Sequence, residues 1–239
     1  MKKFLIIFSI IFCTTNIILA NDNYNLYNYD AYKPNLSQNE KILFIMDYSN
    51  SMNEFLGGGR KIDLMRETMR EILPAINSKI ETGLRVYGHR LGFTAYECCK
   101  ASKLAVPIQE ENIENITAVL ENTKARGMTP ITYSLKKAVN NDFNGFQGKK
   151  HIILLSDGGE NCDESPCDYV MKNLAKQKDF TIDVIAFNIN NKDDLNQLKC
   201  ISTVTSGKFY TANTKGELVN ALNNTIRTTK EVGGVIIKD

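Results

Sequence analysis

The sequence is poor in the side chains on which hydrolytic catalysis usually depends. It holds only two histidines, His89 and His151, and His151 begins an apolar run that predicts a buried strand. The Gly-x-Ser-x-Gly pattern of many serine hydrolases is absent. A metal-activated water would still need a base. Glu160 is one candidate, but its acidic neighbours are equally explained as complements to the dipole of a helix predicted near Asp168. We therefore expect no catalytic residues.

Net charge is also nearly absent. The formal net charge is +2, and removal of the first 20 residues, which carry Lys2 and Lys3, leaves a neutral chain. Proteins that bind nucleic acids or anionic membranes through charge need a basic surplus. Beyond Phe4–Ala20 no apolar run is long enough to span a bilayer. These features argue against a nucleic-acid binder and against a pore formed by this chain alone.

The first 20 residues have the pattern of a secretory signal peptide. A basic start is followed by the apolar stretch Phe4–Ala20, and the small residue Ala20 suits cleavage. An uncleaved membrane anchor is the alternative, because the stretch just reaches the lower length limit of a span. We expect an exported protein, periplasmic or extracellular. Residues 21–40 are rich in Asn and Tyr and predict a linker.

Five cysteines follow the signal segment, and export favours disulfides over thiols. Cys162 and Cys167 are close together in a predicted loop, so we expect them to pair. Cys200 would then pair with Cys98 or with Cys99, which leaves one thiol free. A zinc site is the alternative, but the spacing of Cys162 and Cys167 is too wide for the commonest finger pattern.

One apolar run, Ile42–Met46, leads directly into three polar oxygens, and the rest of the chain is organised around it. Its unbroken character predicts a strand buried on both faces of a parallel sheet. Asp47, Ser49 and Ser51 alternate, so their side chains point the same way at the strand's carboxyl end, where α/β sheets bind ligands. These hard oxygens suit Mg²⁺ or Mn²⁺. The alternative is a cap on the next helix, predicted over Lys61–Asn77.

Strands and helices alternate along the remainder of the chain, which predicts an α/β fold with a doubly wound, mostly parallel central sheet flanked by helices. We expect one domain over residues 41–228 and a short tail over 229–239. The strands are predicted at Gly83–Gly88, Lys103–Ile108, His151–Asp157, Phe180–Phe187 and Lys208–Thr211, and helices around Ile113–Leu120 and over Tyr133–Phe143, Asp193–Ser202 and Gly216–Ile226.

Two distant segments supply further oxygens. Thr129 lies in the loop Gly127–Ile131, and Asp157 ends the strand that begins at His151. Together with Asp47-Tyr-Ser-Asn-Ser51, they match in order the metal-ion-dependent adhesion site of the von Willebrand factor type A (VWA) domain family, which this sequence resembles over about residues 40–228. The segments Tyr87–Arg90 and Ser156–Cys162 look like a bacterial secreted branch of that family.

The resemblance implies a Rossmann-like fold and a site for one divalent cation. Its ligands would be Asp47, Ser49, Ser51, Thr129 and Asp157, with Mg²⁺ as the expected ion and Mn²⁺ or Ca²⁺ as alternatives. A protein partner would complete the coordination with an Asp or Glu carboxylate. The expected function is thus a metal-dependent protein-binding module for adhesion or assembly. A metal-assisted hydrolase and an accessory domain of a membrane complex are the alternatives.

Residues around the expected ion would frame the surface that meets the partner. Tyr48 and Asn50 alternate with the ligands, so their side chains should point away from the ion. His89 and Arg90 end a predicted strand that the resemblance places near the metal face, although a His-Arg pair often only fixes a loop by hydrogen bonds. The complete set of candidate surface residues is Tyr48, Asn50, His89, Arg90, Met128 and Glu160.

Overall fold

The computed structural model describes residues 40–231, with side chains as far as Ile226. The predicted signal peptide over 1–20 and all but the last residue of the 21–40 linker lie outside the described residues, so both stay predictions. The predicted tail begins inside a helix that continues to Glu231, and the remaining tail residues, 232–239, also lie outside the described part.

Six strands form one central sheet in the order β5-β4-β1-β6-β7-β8. Every neighbouring pair is parallel except β4 and β5, which run antiparallel. The mostly parallel α/β fold predicted from the sequence is therefore confirmed. The strands of this sheet are β1 (Glu40–Asp47), β4 (Glu81–Tyr87), β5 (Ser102–Gln109), β6 (Lys149–Ser156), β7 (Phe180–Phe187) and β8 (Phe209–Ala212), and β2 (Phe55–Leu56) pairs with β3 (Gly59–Arg60) as a separate short hairpin.

Helices cover both faces of the sheet, and the two apolar cores lie between helices and sheet. The side chains of Ile42, Phe44 and Met46 belong to one core, and those of Leu43 and Ile45 to the other. Burial on both sides explains why β1 has no polar alternation. The core of Ile42 is completed by α1 (Lys61–Ile72), α3 (Ile113–Asn122) and α7 (Lys215–Glu231), and the opposite core by α4 (Ile131–Lys137), α5 (Pro166–Asn173) and α6 (Lys192–Val204).

Several predicted helices have different ends in the structure. The first stops at Ile72 and continues only as a 3₁₀ turn over Leu73–Ala75, where Pro74 has no N–H to extend the α-helical hydrogen bonds. The helix predicted over Tyr133–Phe143 begins earlier, at Ile131, and widens into a π turn over Ala138–Asp142. A short helix that was not predicted, α2 (Ala95–Cys98), lies in the connection between β4 and β5.

Candidate metal centre

The two aspartates of the candidate site lie together because β1 and β6 are adjacent parallel strands, so their carboxyl ends meet at one edge of the sheet. Asp47 is fully buried and Asp157 is 6 % exposed. The Asp47 Oδ2 atom accepts hydrogen bonds from Ser156 Oγ (2.8 Å) and from the Asp157 backbone N–H (3.3 Å), and its Oδ1 accepts one from the Ser49 N–H (2.7 Å). Both oxygens of Asp47 are thus fixed in orientation.

The hydroxyls of Ser49 and Ser51 join the two aspartates in one cluster of oxygens. Ser51 Oγ donates to Asp157 Oδ1 at 2.7 Å, and the two serine hydroxyls lie 3.0 Å apart. Ser49 Oγ is 3.4 Å from the same carboxylate oxygen. Four of the five ligands predicted from the sequence are therefore brought together by direct side-chain or backbone contacts.

Thr129 reaches the same edge through backbone contacts. Ser49 forms a parallel bridge with Gly127, and the Asn50 N–H donates to the Gly127 carbonyl at 2.9 Å. Thr129 is buried, and its N–H donates to Asn161 Oδ1 (2.9 Å), while the Asn161 amide donates to Thr129 Oγ1 (3.5 Å). Asn161, which the sequence analysis did not select, therefore orients the threonine.

Lys61 is a second component that the sequence analysis missed. Its Nζ donates to Asp157 Oδ2 at 3.0 Å and to Glu54 Oε2 at 2.8 Å, and the residue is only 4 % exposed. Burial works against the charge, but Glu54 and Asp157 together raise the pKa of Lys61 above its ordinary value. A lysine as the first residue of α1 interacts unfavourably with the helix dipole. That unfavourable position is the feature of the sequence that could have indicated an acidic partner for Lys61.

The electrostatics of the cluster favour a cation. Burial, followed by the neighbouring charge of Asp157, raises the pKa of Asp47 to about 6, and hydrogen bonds from Ser49 and Ser156 only partly oppose this. In the described part of the chain no three His, Cys, Asp or Glu side chains cluster as metal ligands do. Any metal at this edge would therefore be held by two carboxylates and by hydroxyls, a donor set suited to hard ions.

Comparison with known proteins decides the family. The sequence matches the von Willebrand factor type A domain over residues 41–225, most of the chain. The chain belongs to the VWA domain family. Among its relatives are two uncharacterized proteins of Bacillus subtilis (strain 168). YwmD is 28 % identical over 188 residues, 75 % of this chain and 82 % of that protein, and YwmC is 24 % identical over 181 residues, 74 % and 78 % of the two chains.

Solved structures with this fold include one protein of the mussel byssus and two proteins of bacterial pili. Proximal thread matrix protein 1 of the mussel byssus, with a zinc-occupied MIDAS motif, has a TM-score of 0.61 and 18 % identity over 79 % of this chain and 45 % of its own. The von Willebrand domain of the type V pili tip protein Mfa5 from Porphyromonas gingivalis scores 0.60, with 16 % identity over 84 % and 98 %. The pilus adhesin SpaC of Lactobacillus rhamnosus GG scores 0.60, with 14 % identity over 84 % and 31 %. Identities this low establish the fold alone.

The prediction that Tyr48 faces the partner is wrong. Tyr48 is fully buried, and its hydroxyl donates to the Leu120 carbonyl at 2.8 Å. Alternation does direct Tyr48 away from the oxygen cluster, but that direction leads into the core beneath α3 rather than to solvent. Asn50 and Arg90 of the VWA domain are exposed, and Met128 is half-buried.

Glu160 was predicted to line the surface that meets the partner, but its carboxylate is occupied by backbone N–H groups. Its Oε2 accepts from the Thr132 N–H at 2.6 Å, and its Oε1 accepts from the N–H groups of Cys162 (2.7 Å) and Asp163 (3.1 Å). The carboxylate is thus used to fix the loop after β6 against the start of α4. A side chain engaged by three backbone donors is poorly placed to meet a partner or to act as a general base.

The two histidines occupy different environments. His89 is half-buried near the edge that carries Asp47, and burial, with the charges of Arg90 and Lys103, lowers its pKa. His151 is buried in β6 with its Nε2 3.2 Å from the Asp183 carboxylate. It lies six residues before Asp157, which is about 20 Å along an extended strand. Only His89 is therefore near the candidate metal centre.

The predicted cysteine pairing is wrong. The disulfides join Cys99 to Cys162 and Cys167 to Cys200, and Cys98 is the free thiol. Cys167 lies in the first turn of α5, and α5 packs on α6, which carries Cys200. Helix packing thus decided the pairing, and the short spacing between Cys162 and Cys167 did not. The first disulfide ties α2 to the loop that contains Asn161.

Proposed function

We propose that this chain is an exported, divalent-cation-dependent protein-binding domain. In this proposal Asp47, Ser49, Ser51, Thr129 and Asp157 hold one ion, with Mg²⁺ preferred over Mn²⁺ or Ca²⁺. The observation that carries the proposal is the meeting of two buried aspartates and two serine hydroxyls at one sheet edge.

The residues present fit a divalent ion in charge and in donor type. Asp47 is held in place by hydrogen bonds and forms no ion pair with any described cationic side chain, whereas Asp157 contacts Lys61. Two carboxylates and one lysine leave a negative surplus, and burial makes that surplus costly. A bound ion would supply an electrophilic position that a partner carboxylate can complete. The chain's own contribution is to hold the oxygens in one orientation beforehand.

Related structures support a role in adhesion or assembly. The names of similar proteins describe a pilus adhesin, a pilus tip protein and a matrix protein of the mussel byssus, the last with zinc in its MIDAS motif. None of the helices in residues 40–231 is long and apolar enough to cross a membrane. The names of the similar proteins, the signal-like residues 1–20 and the two disulfides favour a protein that works outside the cytoplasm.

Binding is favoured over hydrolysis because only the half-buried His89 is left near the site as a candidate general base. Glu160 is engaged by three backbone N–H groups, and His151 lies at the far end of β6. The partner we expect is a protein that offers one Asp or Glu. An extended polyanion fits less well, since Asp163 and Glu164 on the neighbouring loop share a single partner, Lys136.

The test compares Thr129→Ala with Thr117→Ala, a control that removes a threonine hydroxyl from α3. Affinity for Mg²⁺, Mn²⁺ and Ca²⁺ is measured by calorimetry, and capture of envelope proteins is measured in Mg²⁺ and in chelator. Loss of one ligand should cost about 1–3 kcal/mol, or roughly tenfold to a hundredfold in affinity. Thr117→Ala should behave as the wild type. Equal metal affinity and equal capture for all three proteins would refute the proposal.

A further inference from the structure

We propose that Leu91, Phe93 and Tyr96, here called the apolar rim, form the second half of the partner-binding surface beside the metal centre. The partner they fit is an acidic polypeptide segment that carries a large apolar side chain within a few residues of its Asp or Glu. This inference rests on the proposed function and adds the class of sequence that the site would select.

Exposure first identifies the rim. Phe93 is fully exposed, at 103 % of its reference area, and Tyr96 and Leu91 are 72 % and 64 % exposed. In the described part of the chain only two other large apolar side chains, Phe55 and Met171, are exposed to a similar degree. Single exposed apolar residues need no explanation, whereas several on one surface are typical of an interaction site.

Hydrogen bonds hold the rim in this exposed position. Thr94 and Glu97 form a capping box at the start of α2, with the Glu97 N–H donating to Thr94 Oγ1. The Glu97 carboxylate in turn accepts from the N–H of Phe93 (2.7 Å) and of Thr94 (3.1 Å). At Gly92 an added Cβ would approach Glu97 Cβ to 2.3 Å, so the turn is closely packed. The chain therefore presents Phe93 to solvent from a fixed turn.

Both ends of the rim segment are joined to the loop that carries Thr129. Before the rim, the Arg90 carbonyl packs so closely on Gly127 that a Cβ there would lie 2.7 Å away. After the rim, the Cys99–Cys162 disulfide links α2 to the residue next to Asn161. Asn161 holds Thr129 by two hydrogen bonds. The rim and the candidate metal centre thus belong to one connected surface.

The charges of the rim segment itself are mostly cationic, and the nearby acid Asp163 is paired with Lys136, which favours a short acidic segment as the partner. Arg90 is exposed directly before the rim, and Lys100 Nζ lies 5.3 Å from the Tyr96 ring centre and 4.3 Å from that of Tyr133. Glu97 is the only acidic residue between Leu91 and Lys100, and backbone N–H groups occupy its carboxylate. An acidic segment is attracted to such a border, whereas a basic one is repelled.

The experiment uses two libraries of twelve-residue peptides that differ only in a fixed central residue, Asp in one and Asn in the other. The full chain selects peptides from each library in Mg²⁺ and in chelator. The same selection is made with the rim variant (Leu91→Ser, Phe93→Ser and Tyr96→Ser combined) and with Met171→Ser, a control that removes an exposed apolar side chain from α5. Thermal melts of each protein in Mg²⁺ and in chelator verify folding and ion binding.

In Mg²⁺ the wild type and Met171→Ser should enrich Asp peptides with Phe, Leu, Ile or Trp close to the Asp. The rim variant should keep the preference for Asp over Asn. Its enrichment of apolar side chains should be at least tenfold lower than that of the wild type. The same apolar enrichment by the rim variant, or none by the wild type, overturns the inference. A further outcome is that the wild type enriches apolar side chains equally in the Asp and Asn libraries, in a way that depends on the rim. That result would overturn both the proposed function and the inference that the partner is acidic.

Two further measurements test other occupants of the rim. Sedimentation of the full chain would reveal a dimer, and flotation with phosphatidylglycerol vesicles would reveal membrane binding. A dimer or vesicle complex that forms in the wild type and is lost in the rim variant would mean that a second copy or a lipid surface covers the rim, and the peptide assignment would then be wrong. Neither should be observed.

Discussion

Asp47→Asn should separate stability from metal binding, because the cost of burying this carboxylate is large. Its pKa is raised from 3.8 to about 6, which corresponds to about 3 kcal/mol of destabilisation once the group is ionised in the metal-free protein. Asparagine removes that cost. It also replaces one acceptor oxygen with an N–H₂ group that faces donors on Ser156 and Asp157, a loss of roughly 1–2 kcal/mol.

The net effect in chelator at neutral pH should therefore be about 1–2 kcal/mol of added stability. Because the pKa of Asp47 is raised on folding, its carboxyl contributes fully to stability below the pKa of the unfolded chain. That contribution is lost as the pH rises through about 6. The advantage of the variant over the wild type should thus be about 1–2 kcal/mol larger at pH 7.5 than at pH 5. In Mg²⁺ the order should reverse, since only the wild type keeps the full ligand set.

Urea denaturation at both pH values, with chelator or with Mg²⁺, measures these free energies of unfolding. Asp142→Asn is the contrasting control, because that buried carboxylate has a bidentate partner in Arg85 (2.7 Å for each bond). It should destabilise the protein in every condition. A loss of several kcal/mol for Asp47→Asn in chelator, equal at pH 5 and pH 7.5, would refute the reasoning.

Three other predictions test residues whose contacts were not predicted correctly from the sequence. Lys61→Met should cost about 3–5 kcal/mol in chelator, because it leaves the buried Asp157 carboxylate without its cation, and denaturation of the double variant with Asp157→Asn should recover part of that loss. Tyr48→Phe should cost about 1 kcal/mol by removing one of the two side-chain hydrogen bonds that the Leu120 carbonyl accepts, the other coming from Arg66 Nε (3.0 Å), and it should leave the metal-induced rise in melting temperature unchanged. Alkylation before reduction, followed by peptide mapping, should label Cys98 but none of Cys99, Cys162, Cys167 and Cys200; label on any of these four would contradict the pairing.

The sequence by itself determined the fold class and the edge at which the candidate site lies. The run Ile42–Met46 has no polar alternation, as a strand covered on both faces should, and the two cores share its side chains. Alternation after Asp47 predicted that Ser49 and Ser51 face the same side, and they do, although Ser51 reaches it from a 3₁₀ turn over Asn50–Asn53. These are local properties of the backbone, so a single segment is enough to predict them.

Only the tertiary structure decided what each side chain meets. Alternation correctly directed Tyr48 away from the oxygen cluster, but only the position of α3 made that side a core and not a surface. Likewise the contact of α5 with α6 paired Cys167 with Cys200, and the approach of α1 to β6 brought Lys61 to Asp157. Sequence periodicity specifies which face of an element is buried. The partner on that face depends on segments far along the chain, whose relative positions are fixed only when the whole domain packs.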